Sequence, residues 1–373
     1  MRPTYAVINL SNLKYNYLNI RRKIKDVKVM AVVKADAYGH GSVEIANALN
    51  SLSVEKPEYF AVAIPEEGIE LRKHNIKQPI LVFDPFNKVQ AELIFKYNLI
   101  PTVFSVDHIN VLLKAKNNFA SGKRIRVHIK IDTGMNRLGI DFNYAFDFVK
   151  RISRDDNFIV DGIYTHFANS DERDKTFANL QLKRFNDLLN ELKKEKINYG
   201  LAHTANSGAI VDMPEAYFDM VRPGILLYGY YPSTETSKSI KIKPVMSLYS
   251  VVTAVKNIAS GETVSYGRKF KAFEETKIVS VPIGYADGFT RGLTNSAKAI
   301  IRGKLFQQVG TVTMDRIMFN VGNEKVIPNV KVILLGKYKK LKIDAWDWAD
   351  ILKTIPYEII CGISKRVPRI YKD

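Results

Sequence analysis

Val29-Met-Ala-Val-Val-Lys34-Ala-Asp-Ala-Tyr-Gly-His-Gly41-Ser-Val43-Glu-Ile-Ala-Asn-Ala-Leu-Asn-Ser-Leu52 sets the reading of most of the chain. Val29 to Lys34 is a short apolar run of strand length. A glycine-punctuated turn follows, and Val43 to Leu52 then repeats its apolar residues with the period of a helix. The same unit recurs downstream. Strand-like runs at Tyr59 to Ile64, Pro79 to Asp84, Ile100 to Ser105, Ile125 to Ile131, Ile159 to His166, Tyr199 to Thr204 and Asp219 to Arg222 alternate with helical stretches. The helices are expected near Glu66 to His74, Lys88 to Tyr97, Val106 to Lys116, Phe142 to Ile152, Lys175 to Lys194 and Ser207 to Val211. Short strands in regular alternation with helices make a parallel sheet with crossover helices. About eight such units in a row favour a closed (β/α)8 barrel of the TIM type over an open sheet.

Beyond residue 236 the pattern changes. Val245 to Val255, Thr276 to Val281, Ala299 to Ile301, Gln307 to Val309, Ile317 to Val321 and Val330 to Leu334 are short strand-like runs separated by Gly, Asn and Pro. Only Ala345 to Leu352 reads as a helix there. The expected fold class is therefore α/β, an N-terminal (β/α)8 barrel followed by a mostly-β domain. The expected bounds are residues 10–235 for the barrel and 236–373 for the β domain. Tyr5-Ala-Val-Ile-Asn-Leu also reads as a strand, and residues 1–9 are assigned to the β domain.

A length of 373 residues suits one large and one smaller domain, and 46% hydrophobic residues can fill real cores. The formal net charge of +18 raises the question of a nucleic-acid partner. The bases are scattered, however. The densest runs, Arg21-Arg22-Lys23-Ile24-Lys25 and Lys337-Tyr338-Lys339-Lys340, are short, and no zinc-finger spacing or RNA-binding aromatic signature accompanies them. The reading is a lysine-rich solvated surface without a nucleic-acid partner. The single cysteine, Cys361, forms no intramolecular disulfide, which fits a reducing compartment. It stands in the apolar run Tyr-Glu-Ile-Ile-Cys-Gly-Ile and is expected to be a buried core thiol on a strand. The N-terminus lacks the apolar segment of a signal peptide, and no apolar run approaches the ~20 residues of a spanning helix. A soluble, cytoplasmic protein with no membrane contact is expected.

Reactive groups of barrel enzymes stand at the C-terminal ends of the strands. Here those ends carry Lys34, Arg137 just beyond the fifth strand, His166, His203 and Arg222. The set contains no carboxylate pair for glycoside hydrolysis and no metal-ligand spacing, so no metal is expected. A strand-end lysine among cationic groups suits Schiff-base chemistry, because burial and like charges make the neutral amine available. The same cations suit a phosphorylated ligand.

The window Val32-Val33-Lys34-Ala35-Asp36-Ala37-Tyr38-Gly39-His40-Gly41 resembles the pyridoxal 5′-phosphate (PLP) attachment segment of the alanine racemase family, a PLP-dependent fold-type III group. Further motifs agree in order along nearly the whole chain. They are Lys130-Ile-Asp-Thr-Gly-Met135-Asn-Arg137, Thr165-His166-Phe167, His203-Thr-Ala-Asn206-Ser207, Val221-Arg222-Pro-Gly224-Ile225, Val264-Ser-Tyr266-Gly, Gly284-Tyr285-Ala-Asp-Gly288, Val312-Thr-Met314-Asp315-Arg316 and Pro356-Tyr357-Glu-Ile-Ile-Cys-Gly.

The resemblance implies PLP as cofactor, bound through Lys34, and a two-base racemisation of alanine. Lys34 would serve one face of the substrate. Tyr266, reaching in from a second subunit of a homodimer with shared active sites, would serve the other. Arg222 would contact the pyridine nitrogen, His166 would link Arg222 to Tyr266, and His203 would pack near the ring. Tyr38, Ser207 and Tyr357 hydroxyls with the backbone N–H groups of Ser207, Gly224 and Ile225 would hold the phosphate. Asn206 is counted with these cofactor-binding residues. Arg137 and the Met314 backbone N–H would bind the substrate carboxylate, and Tyr285 with Tyr357 would narrow the entrance. Lys130 aligns with a lysine that is carbamylated in some family members. D-alanine supply for peptidoglycan is the implied role. Two departures stand out: Asp36 where Asn is also common, and Arg316 where a smaller or neutral residue is usual. The alternatives are a broad, serine or lysine racemase with the same machinery, or a noncatalytic PLP-binding protein.

Overall fold

The computed structural model describes residues 2–119 and 122–373. The chain divides into two compact units, one of Leu13–Ala37 with Ser42–Ile242 and one of residues 2–12 with Tyr38–Gly41 and residues 243–373.

The first unit is a parallel barrel. Its strands run in the hydrogen-bonded order Met220–Val221, Lys28–Val32, Tyr59–Val62, Ile80–Val82, Ile100–Val103, Ile125–Asp132, Phe158–Tyr164 and Leu201–His203. The last and first of these are joined by Asp219 N–H to Ala202 O at 3.0 Å and Arg222 N–H to Ala205 O at 2.8 Å, which nearly closes the cylinder. Helices Ser42–Asn50, Pro65–Lys73, Lys88–Lys96, Val106–Phe119, Phe142–Ser153 and Thr176–Lys194 follow successive strands. Each strand is largely buried on both sides, which is why its sequence is a continuous apolar run rather than an alternating one. The expected strands and helices are present with ends shifted by one to a few residues. The helix Leu10–Ile24, which begins before the barrel, was not singled out by its sequence. Its mean hydropathy is low, and only one narrow stripe (Leu13, Asn16, Tyr17, Ile20, Ile24) is buried.

The second unit is mostly strand. A seven-stranded sheet runs Lys304–Gln307, Lys298–Ile301, Lys331–Tyr338, Met246–Val251, Tyr5–Asn9, Arg369–Lys372, with Leu341–Ile343 on the edge of Lys331–Tyr338. Tyr5–Asn9 pairs antiparallel with Met246–Val251 and parallel with Arg369–Lys372. Ala254–Ile258, Thr276–Val281 and Ile317–Gly322 form a separate antiparallel sheet. The run Val245 to Val255, read as one strand, is thus two strands in different sheets, broken at Val252-Thr253.

Two expectations for this unit are corrected. Pro356–Gly362 is a second helix, started by proline at its first position, where the missing N–H costs no bond. Cys361 lies on that helix and is exposed, not a buried strand thiol. The Ile-Ile-Cys-Gly-Ile run hides its period because only Pro356, Ile359 and Ile360 face inward on the helix.

Candidate active site

Lys34 immediately follows the Lys28–Val32 strand and Val33, at the C-terminal mouth of the barrel. The turn after it is unusual. Lys34–Gly39 is helical in hydrogen bonding, yet Ala35, Asp36, Ala37 and Tyr38 all have φ between +52° and +54°. Four consecutive non-glycine residues in the left-handed region cost about 1–2 kcal/mol each. The surroundings hold them there. Glu67 accepts from Ala35 N–H at 2.6 Å and from Ala63 N–H at 2.8 Å, and Asp36 accepts from Ser42 N–H at 2.9 Å.

His166 and Arg222 also lie just beyond strand ends, and His203 is the last residue of its strand. Arg222 is buried. Its Nη1 donates to His203 Nδ1 at 2.8 Å and to His203 O at 2.8 Å. Its Nη2 donates to Thr165 O at 2.7 Å, to Thr204 O at 2.9 Å and to His166 Nδ1 at 3.4 Å. The Nε–H is the one donor of Arg222 with no protein acceptor among the described residues. Among the described residues no carboxylate touches this guanidinium either, and burial lowers its pKa to about 10.

Further cations gather near Arg222, with Asp84 and Asp132 as the carboxylates acting on Lys130. Burial, then the charges of Arg137 and Arg222, bring Lys130 down to about 8. Burial together with Arg222, Lys130, Arg137 and Lys34 holds His166 well below its ordinary value, so it is neutral. Tyr164 is the hub around which these groups gather. Its ring stacks on His203 at 4.9 Å and 7°, with the Arg222 Cζ 5.2 Å and the Lys130 Nζ 5.8 Å from its centroid. Its hydroxyl is 3.0 Å from Thr102 Oγ1, whose proton goes to Val82 O. Arg137 is exposed, on the loop after Ile125–Asp132.

Ser207 opens the short helix Ser207–Asp212, capped by Asn206, whose side chain accepts from Ala209 N–H and from the Ser170 hydroxyl. Ser207 Oγ accepts from Gly224 N–H at 3.0 Å, so the hydroxyl and the start of the 3-10 turn Ile225–Tyr228 are brought together.

The remaining expected residues lie in the β unit. Tyr38 is buried, its hydroxyl pushed up by burial, with the Tyr357 ring 5.9 Å away. Tyr266 sits at the tip of a hairpin between Thr263–Val264 and Phe270–Lys271. Its carbonyl accepts from the Thr311 hydroxyl at 2.6 Å. A Cβ on Gly310 would meet Val264 O at 2.7 Å, so only glycine lets these segments approach so closely. Tyr266, Tyr285, Met314 and Arg316 line an open cavity of about 780 Å³. Tyr266 is 73% exposed, a large apolar body left in solvent.

Sequence reasoning missed His128, Asp161, Tyr164 and Gln181. Gln181 is buried, donates to His166 O at 3.1 Å and accepts from Ala168 N–H at 2.9 Å, pinning the His166 loop. His128 and Asp161 lie within strands rather than at their ends, and were read as part of the apolar runs. A polar residue inside a barrel strand was the available signal. Among the described residues no cluster of His, Cys, Asp and Glu is placed to hold a metal ion, and no helix is long and apolar enough to cross a membrane.

This geometry has relatives. The family model described as alanine racemase, N-terminal domain, matches residues 8–232, and that for the C-terminal domain matches residues 245–371. "Alanine racemase 1" of Clostridium acetobutylicum is 42% identical over 100% of this chain and 96% of its own length. The alanine racemase of Carboxydothermus hydrogenoformans is 41% identical over 100% of both chains. The structure of alanine racemase from Clostridium difficile superposes with a TM-score of 0.93 at 37% identity, covering 99% of this chain and 96% of that one. The Bacillus anthracis enzyme with bound L-Ala-P gives 0.91 at 33% identity over 100% and 96%. A chain matched end to end in this way belongs to the alanine racemase family.

Proposed function

We propose that this protein interconverts L- and D-alanine with PLP as cofactor, by a two-base mechanism, as a homodimer. The observation that carries the reading is the Nε–H of Arg222. It is a donor on a buried side chain that arginine does not give up, and no acceptor among the described residues meets it. A neutral acceptor such as a pyridine nitrogen fits that position. Ser207 Oγ, accepting from Gly224 N–H, keeps its own proton to donate to a phosphate, the role the family resemblance also gives to the Tyr38 and Tyr357 hydroxyls.

When bound, the cofactor supplies the sink for the electron pair left at the substrate Cα. Each remaining task falls to the chain itself. Lys34 would anchor the cofactor and, as a free amine, would move a proton at Cα on one face. Tyr266 of a second subunit moves a proton on the other face, so that removal and return occur on opposite sides. Arg222 would donate to the ring nitrogen without protonating it, which would weaken the sink and leave more of the barrier to the two bases. Arg137 and the Met314 N–H, the latter from the second subunit, hold the substrate carboxylate, while Tyr285 and Tyr357 restrict the entrance. The dimer is supported by the exposure of Tyr266 and Met314 together on one face. With one cysteine, the cytoplasm is the compartment this reading assigns, and D-alanine for peptidoglycan is the use.

The test is chiral chromatography of L-alanine incubated with protein and PLP, beside L-serine and L-lysine. D-alanine formation with little turnover of the others is expected. Turnover mainly of serine or lysine would move the substrate, and no D-product with PLP bound would sink the reading. Lys34→Ala should abolish covalent, borohydride-reducible attachment of PLP. Tyr266→Ala should block deuterium exchange from the L-enantiomer more than from the D-enantiomer, and equal loss on both would overturn the assignment of one base to each face.

A further inference from the structure

Behind Arg222 a line of side chains runs through the barrel interior that the proposed mechanism does not use. His203 Nε2 is 2.9 Å from His128 Nδ1, and His128 Nε2 is 3.2 Å from Asp161 Oδ2. Asp161 is held in turn by Arg126, whose Nη2 lies 2.8 Å from Oδ1 and 2.9 Å from Oδ2, and by the Tyr59 hydroxyl at 3.1 Å. His128 and His203 are fully buried, in a barrel type whose interior is ordinarily packed with aliphatic side chains.

We propose that Asp161, His128 and His203 are positioning residues for the reaction: a one-way hydrogen-bonded relay that fixes the acceptor presented to Arg222 and so fixes the guanidinium itself. The direction follows from the two ends. Asp161 only accepts, so His128 must carry its proton on Nε2. Its Nδ1 is then an acceptor, and His203 must donate to it from Nε2. His203 Nδ1 is left with a lone pair, which is what Arg222 Nη1 needs. Each ring has one tautomer compatible with both neighbours.

The charges agree with this polarity. Burial works to raise the Asp161 pKa, but the hydrogen bonds from His128 and Arg126 and the charge of Arg126 overcome it and hold the carboxyl down at about 2. Burial keeps both rings below the ordinary histidine value. Asp161 opposes that shift at His128, and Arg222 and His128 reinforce it at His203. The groups facing the two rings are Arg126, Asp161, Tyr59, Tyr164 and Arg222. The relay thus has a carboxylate at one end, a guanidinium at the other and two neutral imidazoles aligned between them.

The inference rests on the reading of Arg222 as the partner of the cofactor's ring nitrogen. Nitrogen-15 NMR of histidine-labelled holoenzyme tests it, with His128→Gln and His203→Gln assigning the signals. Both rings are expected as neutral Nε2–H tautomers between about pH 6 and about pH 9. Asp161→Asn can turn its amide to His128 and reverse the relay. It is expected to shift one or both rings to Nδ1–H, to move the visible absorption band of the bound cofactor, and to lower kcat roughly 10- to 100-fold with KM far less changed, the scale seen when outer hydrogen-bond partners are lost. Asp161→Glu should restore tautomer and rate. A wild-type ring found as Nδ1–H, or protonated in that range, would overturn the relay without any variant having to fold. So would an Asp161→Asn enzyme with unchanged tautomers and kcat. Arg222→Lys separates the two readings: a cofactor band that it leaves unmoved removes Arg222 from the ring nitrogen, whereas the wild-type tautomers decide the relay independently.

Discussion

Gly162 lies directly against the His128 ring: a Cβ added there would stand 2.7 Å from His128 Cε1, 2.9 Å from Nδ1 and 2.7 Å from Leu201 O. The backbone at Gly162 has no need of glycine's conformational freedom, so the requirement is space alone. The glycine is the seat on which the imidazole rests.

Gly162→Ala should therefore act on the site at a distance. The methyl cannot fit without displacing His128 or parting two strands, and overpacking of this kind costs about 1–3 kcal/mol. We expect that loss in denaturant unfolding. A second Gly162→Ala, His128→Ala variant, which makes room for the methyl, should recover part of the stability and none of the rate. Recovery of the rate in the double variant would show that His128 has no part in positioning Arg222.

The barrel could be read from the sequence because its strands are buried on both faces, so that Val29 to Val33, Tyr59 to Ile64 and Ile125 to Ile131 are continuous apolar runs. The strand-end rule then picked out Lys34, His166, His203 and Arg222 with no further information. What escaped the reading escaped for physical reasons. His128 and Asp161 act from the middle of strands, where pattern reading assigns packing, and their meaning lies in partners some 33 to 75 residues away. The left-handed turn at Ala35–Tyr38 is built from Ala, Asp and Tyr, residues whose own preference is for other conformations. Tertiary contacts overrode that preference, and local sequence carries no trace of it. The helix Pro356–Gly362 was lost because its glutamate and cysteine point outward within an apolar run.

Ala35→Gly should stabilise the protein. Ala35 is exposed at φ +52°, and its Cβ makes that conformation unfavourable by about 1–2 kcal/mol. Glycine removes the penalty but adds about 0.5–1 kcal/mol of freedom to the unfolded chain, which leaves a net gain of roughly 0.5–1 kcal/mol. The denaturant midpoint should rise with an unchanged slope. A lower midpoint would mean that Ala35 is not held left-handed in solution.

Acid should loosen the fold before Asp161 is protonated. Burial leads the causes that depress His128, His166 and His203, so in the folded protein they take up protons only below the ordinary histidine range. The unfolded chain binds them near pH ~6.5, so it holds more protons in that window, and stability falls as pH drops through it. Each histidine can contribute up to about 1.4 kcal/mol per pH unit. The stability that Asp161 contributes is present above the ordinary carboxylate value and is lost only toward pH about 2, so it is silent in this range. Urea unfolding at about pH 7.5 and about pH 5.5 should show the difference, and His203→Gln should flatten the slope. Equal stability at both values would mean that these rings are already protonated or already solvated.

Lys130 offers a chemical handle on the same pocket. Its pKa of about 8, set first by burial and then by Arg137 and Arg222, lies below the unfolded value of 10.5. The unfolded chain therefore binds more protons between the two, and the contribution of Lys130 to stability grows as pH rises through that window. Near pH 8 a substantial share of the amine is neutral, and a neutral amine can add carbon dioxide to form a carbamate, releasing one proton. The product is an anion amid cations, relieving the repulsion from Arg137 and Arg222 that depresses the amine. Bicarbonate should then add the mass of one carbon dioxide, labelled with carbon-13 for NMR, and should sharpen the response to substrate by holding Arg137. Lys130→Arg should remove the label and weaken substrate binding. Full labelling in the Lys130→Arg variant would place the carbamate on another amine, and no label in the wild type at alkaline pH would show that Lys130 holds Arg137 away by charge rather than drawing it in.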